Sequence, residues 1–187
     1  MNVLLAVASK HGGTRGIGDA IAAELRVRGI AADVRGVDEA LPVDGYDAVI
    51  VGSAIYLGNW LPEARRFVES FRGELAAVPV WLFSSGPLGA DAPPPKGNPD
   101  HLVELMTTSG ARGHRLFVGS LDKRKLGFGE RLAATLVHAP EGDFRDWAAI
   151  RGWAREIATA LRPATVHVGA TGDLGDLTAA PNPETTP

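Results

Sequence analysis

Short apolar runs rich in β-branched residues alternate along the chain with longer stretches in which apolar residues recur every three or four positions. That alternation is the pattern of βαβ units built around a parallel sheet. Residues 3–8 are apolar at every position, as a strand covered on both faces should be. Ile17, Ile21 and Leu25 stand four residues apart and predict a helix over residues 16–28, which Gly29 ends. Residues 32–37 read as a second strand, shorter and more polar, suited to a sheet edge. Residues 48–51 predict a third strand, and residues 61–71 a helix with Pro62 in its first turn. Residues 78–83 and 115–118 supply the fourth and fifth strands. Trp147, Ile150, Ala154, Ile157 and Leu161 recur at steps of three and four, which gives a final helix one apolar face.

Three segments break this rhythm. Residues 92–99 hold four prolines and predict a stiff extended loop after the fourth strand. Residues 126–137 alternate apolar and charged positions as a short amphipathic helix would. From Pro163 onward Gly, Pro, Ala and Thr dominate, so residues 1–162 are expected to form one domain and residues 163–187 a tail of low order. A hydrophobic content of 45% with 22% charged residues is that of a globular chain and excludes a disordered one. The net charge of −3 excludes a general nucleic-acid binder, which needs a basic domain. The chain has no cysteine, which removes thiol nucleophiles, iron–sulfur clusters and cysteine zinc sites. Its five histidines are scattered, so no metal site is expected. No apolar run approaches the roughly 20 residues that span a bilayer, and no signal peptide is recognisable, so a cytoplasmic location is expected.

Candidate chemistry begins at Ser9-Lys10-His11-Gly12-Gly13-Thr14, between the first strand and the first helix. In open α/β sheets ligands collect at the carboxyl ends of strands. A glycine-rich loop there exposes backbone N–H groups, and the helix N-terminus adds partial positive charge, which together suit an anion. A plain strand–helix turn, with Ser or Thr as a cap, is the structural alternative. The loop lacks the Gly-Lys-Ser/Thr of a P-loop and the GxGxxG of a dinucleotide fold. Gly12 to Gly18 resembles the glycine-rich turn of short-chain dehydrogenases. The catalytic Tyr and Lys of that family are missing, because Ile50 and Trp60 stand four residues after Tyr46 and Tyr56. No Gly-x-Ser-x-Gly elbow occurs, and Ser9 and Lys10 stand where a phosphoryl receiver needs acids.

Ser9, Gly12 and Thr14 resemble the first loop of flavodoxin-like proteins, with His11 where that family usually has threonine. The resemblance implies a doubly wound five-stranded parallel sheet of order 2-1-3-4-5, with helices on both faces. It also implies that Ser9, Lys10, His11, Gly12, Gly13 and Thr14 wrap the phosphate of FMN. In that sheet order two further loops reach the same crevice. One carries Ser53, Ala54, Ile55, Tyr56, Leu57, Gly58 and Trp60; the other carries Ser84, Ser85, Gly86, Pro87, Leu88 and Gly89. Tyr56, Leu57 and Trp60 would wall the flavin ring, and the amides of residues 85–89 would meet its polar edge. Core packing of the two aromatics and a plain turn at the serines are the alternatives.

Residues 46–58 with Phe67-Val68, Asp143-Phe144-Arg145-Asp146-Trp147 and Trp153 to Ile157 narrow the resemblance. They are similar to the menaquinone-dependent protoporphyrinogen dehydrogenase branch of the flavodoxin-like family. So is the extra segment between the fifth strand and the last helix. The branch implies a small-molecule redox substrate, porphyrinogen or quinone, with FMN as cofactor. Arg112, His114, Arg115, Lys123, Arg124, Lys125 and Arg131 add a basic stretch. It reads either as a solvated patch or as a peripheral membrane contact through residues 112–131, at the inner membrane face. An FMN electron carrier without its own substrate, and an NAD(P)-dependent short-chain dehydrogenase, are the competing functions.

Overall fold

In the computed structural model, residues 1–39, 42–56, 58–86, 99–121, 124 and 141–162 are described. The first strand, β1 (Asn2–Ala8), is buried from Val3 to Ala8. The reason is that its side chains alternate between two cores. Val3, Leu5 and Val7 face one cluster, and Leu4, Ala6 and Ala8 face the other. The same alternation holds over residues 48–51 of β3 (Ala48–Tyr56) and residues 80–83 of β5 (Val80–Ser85). An all-apolar strand is thus the sequence signature of a sheet covered on both sides.

The remaining elements are α1 (Gly13–Val27), β2 (Ala31–Gly36), β4 (Asn59–Trp60), α2 (Pro62–Ser70), α3 (Arg72–Ala76), α4 (Pro99–Ser109), β6 (His114–Phe117), β7 (Ser120–Leu121), β8 (Gly142–Asp143) and α5 (Trp147–Ala160). The main sheet runs β2-β1-β3-β5-β6, all parallel, and β4 folds back antiparallel on β3. Leaving aside the short β4, this is the expected 2-1-3-4-5 order. A dinucleotide-binding sheet has β1 between β2 and the fourth strand. Here β1 lies between β2 and β3, which sets aside the short-chain dehydrogenase topology. A separate two-stranded ribbon pairs β7 with β8.

Helices α1 and α5 cover one face. Ile17, Ile21 and Leu25 meet Ile150, Trp153 and Ile157 over the odd-numbered side of β1. Trp153 closes this core against Phe83 and Phe117, with ring centres 6.2 and 5.7 Å away. Helices α2, α3 and α4 cover the other face through Phe67, Val68, Leu75 and Leu105. Asp146 caps α5, its carboxylate accepting the amides of Ala148 and Ala149 at 2.9 Å each. That cap fixes where the chain enters the helix, and so where residues 143–147 lie.

Several boundaries depart from the sequence expectation. The first helix begins at Gly13 rather than residue 16, because Gly12 makes the turn and its carbonyl already accepts the first helical bond, from Gly16. Strand β3 runs five residues past Val51 and turns back as a hairpin, so Tyr56 ends a strand rather than sitting within a loop. The expected helix over residues 61–71 is followed by a second short one, α3. Pro99, expected in the extended loop, is the first residue of α4, where proline suits a helix start. Helix α4 itself was not anticipated: the inward positions His101 and Ser109 are polar and dilute its apolar stripe. Residues 92–98, the amphipathic stretch over 126–137 and the tail from 163 lie outside the described residues.

Candidate functional site

Register brings the candidate loops together. Ala8 of β1 pairs with Ser53 of β3, and Ala54 pairs with Ser85 of β5. The chain therefore leaves all three strands at one edge, with Ser9 to Thr14, Ala54 to Tyr56 and Ser85 to Gly86 side by side.

At the end of β1, Gly12 adopts φ 84°, a left-handed conformation that a side chain would strain. The Gly12 amide donates to Ser9 Oγ at 3.2 Å, and the Gly12 carbonyl accepts the first helical bond, from Gly16, at 3.0 Å. The amides of Gly13, Thr14 and Arg15 are the first turn of α1, where no intrahelical acceptor exists. No side chain caps this end and no acid stands in the first turn. Thr14 is buried beside these amides, while Lys10 and Gly12 are exposed. Such a turn concentrates N–H donors and the positive end of the helix dipole on one point.

The loop is buttressed from the far end of the chain. The Arg145 guanidinium donates to the Gly13 carbonyl at 3.1 Å and makes two 2.7 Å bonds to the Asp143 carboxylate. It also lies 4.3 Å from the centre of the Trp147 ring. These bonds hold the Asp143 carboxyl below its ordinary pKa. Ser120 of β7 abuts Gly13 so closely that a Cβ there would come within 2.9 Å of its hydroxyl oxygen.

The other two strand ends are arranged differently. Ser53 is fully buried; its hydroxyl accepts the Leu61 amide at 3.0 Å and donates to the Ala54 carbonyl at 2.9 Å. Trp60 is 5% exposed and packs in the core under α2, so it is not presented to the crevice. Its indole N–H donates to Ser84 Oγ at 2.8 Å, and Ser84 lies 2.8 Å from His114 Nε2. Burial pushes His114 down to about pKa 4, so at neutral pH its ring is uncharged. Ser84 Oγ accepts from the tryptophan and shares a hydrogen bond with Nε2, so the three side chains form one chain of bonds. The Gly86 amide is committed to the Phe117 carbonyl at 2.9 Å. Tyr56 is half-buried, and the Lys10 ammonium sits 4.6 Å from its ring centre, bridging the first and second loops. Leu57, Pro87, Leu88 and Gly89 lie outside the described residues.

The described part of the basic stretch does not act as one patch. His114 is half-buried and neutral, Arg115 pairs with Glu156 at 3.0 Å, and Arg112 stacks 5.6 Å from the Trp81 ring centre. Arg124 is exposed, whereas Lys123, Lys125 and Arg131 lie outside the described residues. A groove of about 390 Å³ runs between α2 and α4, lined by Arg65, His101 and Leu105 among others, but by none of the strand-end residues. Among the described residues no helix is long and apolar enough to cross a membrane, and no cluster of three metal-ligating side chains occurs.

Sequence reasoning missed Ser120 and the structural role of His114. Arg145 entered it only as part of a family motif. Each acts across a gap in sequence, 132 residues for Arg145 and Gly13, which no local pattern can reveal.

Fold and crevice together define a doubly wound α/β domain with a glycine-rich strand–helix turn at its topological switch point. The family model described as a flavodoxin domain matches residues 4–147. The chain belongs to the flavodoxin-domain family. It is 26% identical over 174 residues to Protoporphyrinogen IX dehydrogenase (quinone) of Escherichia coli strain K12, a match that spans 84% of this chain and 95% of that one. The crystal structure of oxidised Flavodoxin 1 from Bacillus cereus superposes with a TM-score of 0.57 at 17% identity, over 87% of this chain and 100% of that one. A flavodoxin from the domain Archaea gives 0.54 at 16% identity, over 86% and 99%. These structural likenesses establish the fold.

Proposed function

We propose that the chain binds FMN non-covalently and oxidises protoporphyrinogen IX or a related reductant, with a quinone as acceptor. The observation that carries this reading is the near-full-length similarity to the E. coli dehydrogenase. The chain's own residues fit the cofactor. A phosphate dianion suits the uncapped, acid-free first turn of α1, and Tyr56 offers a flat aromatic wall within reach of it. FMN when bound supplies the electron chemistry, and the protein supplies binding, orientation and electrostatics.

In this reading Ser9 and Gly12 shape the loop, and the Gly13 and Thr14 amides with the Thr14 hydroxyl grip the phosphate. His11 takes the place of a hydroxyl donor at the same loop. Ala54, Ile55, Tyr56, Leu57 and Gly58 line the ring. Ser53, Trp60 and Ser84 hold the strand ends that carry it. With the Gly86 amide engaged in the sheet, the polar edge of the ring falls to Ser85, Pro87, Leu88 and Gly89. Any peripheral membrane contact through residues 112–131 draws no charge from His114, which is neutral, and little from Arg115, which pairs with Glu156.

The test is direct. The purified protein should show a flavin absorbance spectrum or acquire one with added FMN, and then oxidise porphyrinogen anaerobically with a quinone present. FMN binding without turnover of porphyrinogen would replace the dehydrogenase reading with that of an electron carrier. A protein that takes up no FMN would end both.

A further inference from the structure

We infer that Arg145 is a positioning residue for the phosphate loop, pinning the Gly13 carbonyl so that the first-turn amides of α1 stay aimed at one point. The ligand of that point rests on the FMN reading; the pinning itself does not.

The loop has little stiffness of its own. Gly12 and Gly13 are adjacent, and glycine loses more backbone freedom on ordering than any other residue. The structure supplies the missing restraint from outside. Arg145 is fixed on three sides, by Asp143, by Trp147 and by Gly13, so its planar fork has one available orientation. Asp143 is in turn held in β8, paired with Ser120 of β7, and Ser120 rests against Gly13. The ribbon and the arginine thus clasp the turn together.

Close approach also explains two glycines. A Cβ at Gly16 would come within 2.5 Å of Arg145 Nη1, and one at Gly13 within 2.9 Å of Ser120 Oγ. These residues leave room for the clasp.

The charge points the same way. A cation at a helix N-terminus opposes the helix dipole, and α1 has no acid in its first turn to offset it. Asp143 balances the guanidinium in part. A phosphate dianion at the amides would complete the balance. Restraining the turn before the ligand arrives lowers the ordering cost of binding.

The experiment has two readouts. The first is amide hydrogen exchange over residues 11–16 in flavin-free protein. The second is the ratio of FMN to riboflavin affinity, measured by quenching of flavin fluorescence. In Arg145→Ala the exchange should accelerate about tenfold, and FMN affinity should fall about tenfold while riboflavin affinity holds. Arg145→Lys keeps the charge but cannot span Asp143 and Gly13 at once, so it should lie between. Arg115→Ala, which removes only the surface pair with Glu156, should change neither readout.

Unchanged exchange in Arg145→Ala would overturn the inference, as would full recovery by lysine or an equal fall in the affinity of both flavins. If Arg145→Ala does not fold, the lysine variant carries both measurements. A wild-type protein that binds no FMN would sink the cofactor reading alone, because the exchange comparison would still decide the role of Arg145.

Discussion

At the end of β1 the polar groups that face the crevice are backbone amides on a glycine turn, held in place by a guanidinium from the last helix entry. At the ends of β3 and β5 they are side chains already engaged within the protein: Ser53 with the Leu61 amide and Ala54 carbonyl, and Trp60 with Ser84 and Ser84 with His114. The first region leaves the first-turn amides of α1 without a side-chain cap, while the second engages its hydroxyls with neighbouring groups. A hydroxyl beside a crevice is therefore no sign of ligand contact until its own partners are known. In this molecule the hydroxyls of Ser53 and Ser84 are engaged within the scaffold.

Substitutions can break that contrast, and the largest effect is expected at Trp60. Trp60→Ala should cost about 3–5 kcal/mol of stability by urea denaturation, since it empties a core position and orphans a hydrogen bond. A loss below about 1 kcal/mol, with FMN affinity reduced instead, would return Trp60 to the flavin wall. Next comes Thr14→Ala on the phosphate side. It should lower FMN affinity by about tenfold to a hundredfold, the worth of a charge-assisted bond of roughly 1.5–3 kcal/mol, and leave riboflavin binding as it was. Unaltered FMN binding would show that the turn holds no phosphate.

Ser84→Ala sharpens the contrast from the ring side. It leaves the Trp60 N–H and His114 Nε2 without their shared hydroxyl, so stability should fall by about 1–3 kcal/mol with the FMN-to-riboflavin ratio unchanged. A change in that ratio would mean the two regions are not separate.

The smallest expected effect is in acid. His114 stays neutral in the folded protein down to about pH 4, whereas in the unfolded chain it titrates near pH 6.5. Between those values the unfolded chain binds more protons, so stability falls as pH drops through the window and levels off below it. With allowance for the part of the ring that meets solvent, the loss is about 1–2 kcal/mol. Asp143, held below its ordinary carboxyl range by its bonds to Arg145, resists protonation better than a free carboxyl. Acid should thus loosen the ring side before the phosphate side. His114→Gln should flatten chemical-denaturation stability between pH 4 and 6.5; an unchanged slope would place the titration elsewhere.

Much of the architecture was legible because burial on two faces leaves a plain mark. Val3 to Ala8 and Ala48 to Val51 are apolar at every position, and only a sheet covered on both sides makes that stable. The loop at Ser9 to Thr14 was legible for a related reason, since glycines between a buried strand and a helix have few other uses. The extension of β3 was hidden, because Gly52 and Ser53 read as turn residues. In the structure Ser53 turns its hydroxyl onto local backbone and stays inside the sheet. Helix α4 was hidden because His101 and Ser109 face inward, the serine hydroxyl donating to the Leu105 carbonyl at 2.7 Å.

The sequence by itself thus determined the sheet, most of its covering helices and the glycine turn that ends β1, since each follows from the periodicity of neighbours or from backbone freedom at named glycines. Tertiary structure alone decided which polar side chains are available there. It turned Ser53, Trp60 and Ser84 inward, neutralised His114 by burial, and brought Arg145 across the whole chain to Gly13. Hydrogen-bond partners are set by distance in space, and local sequence carries no record of that.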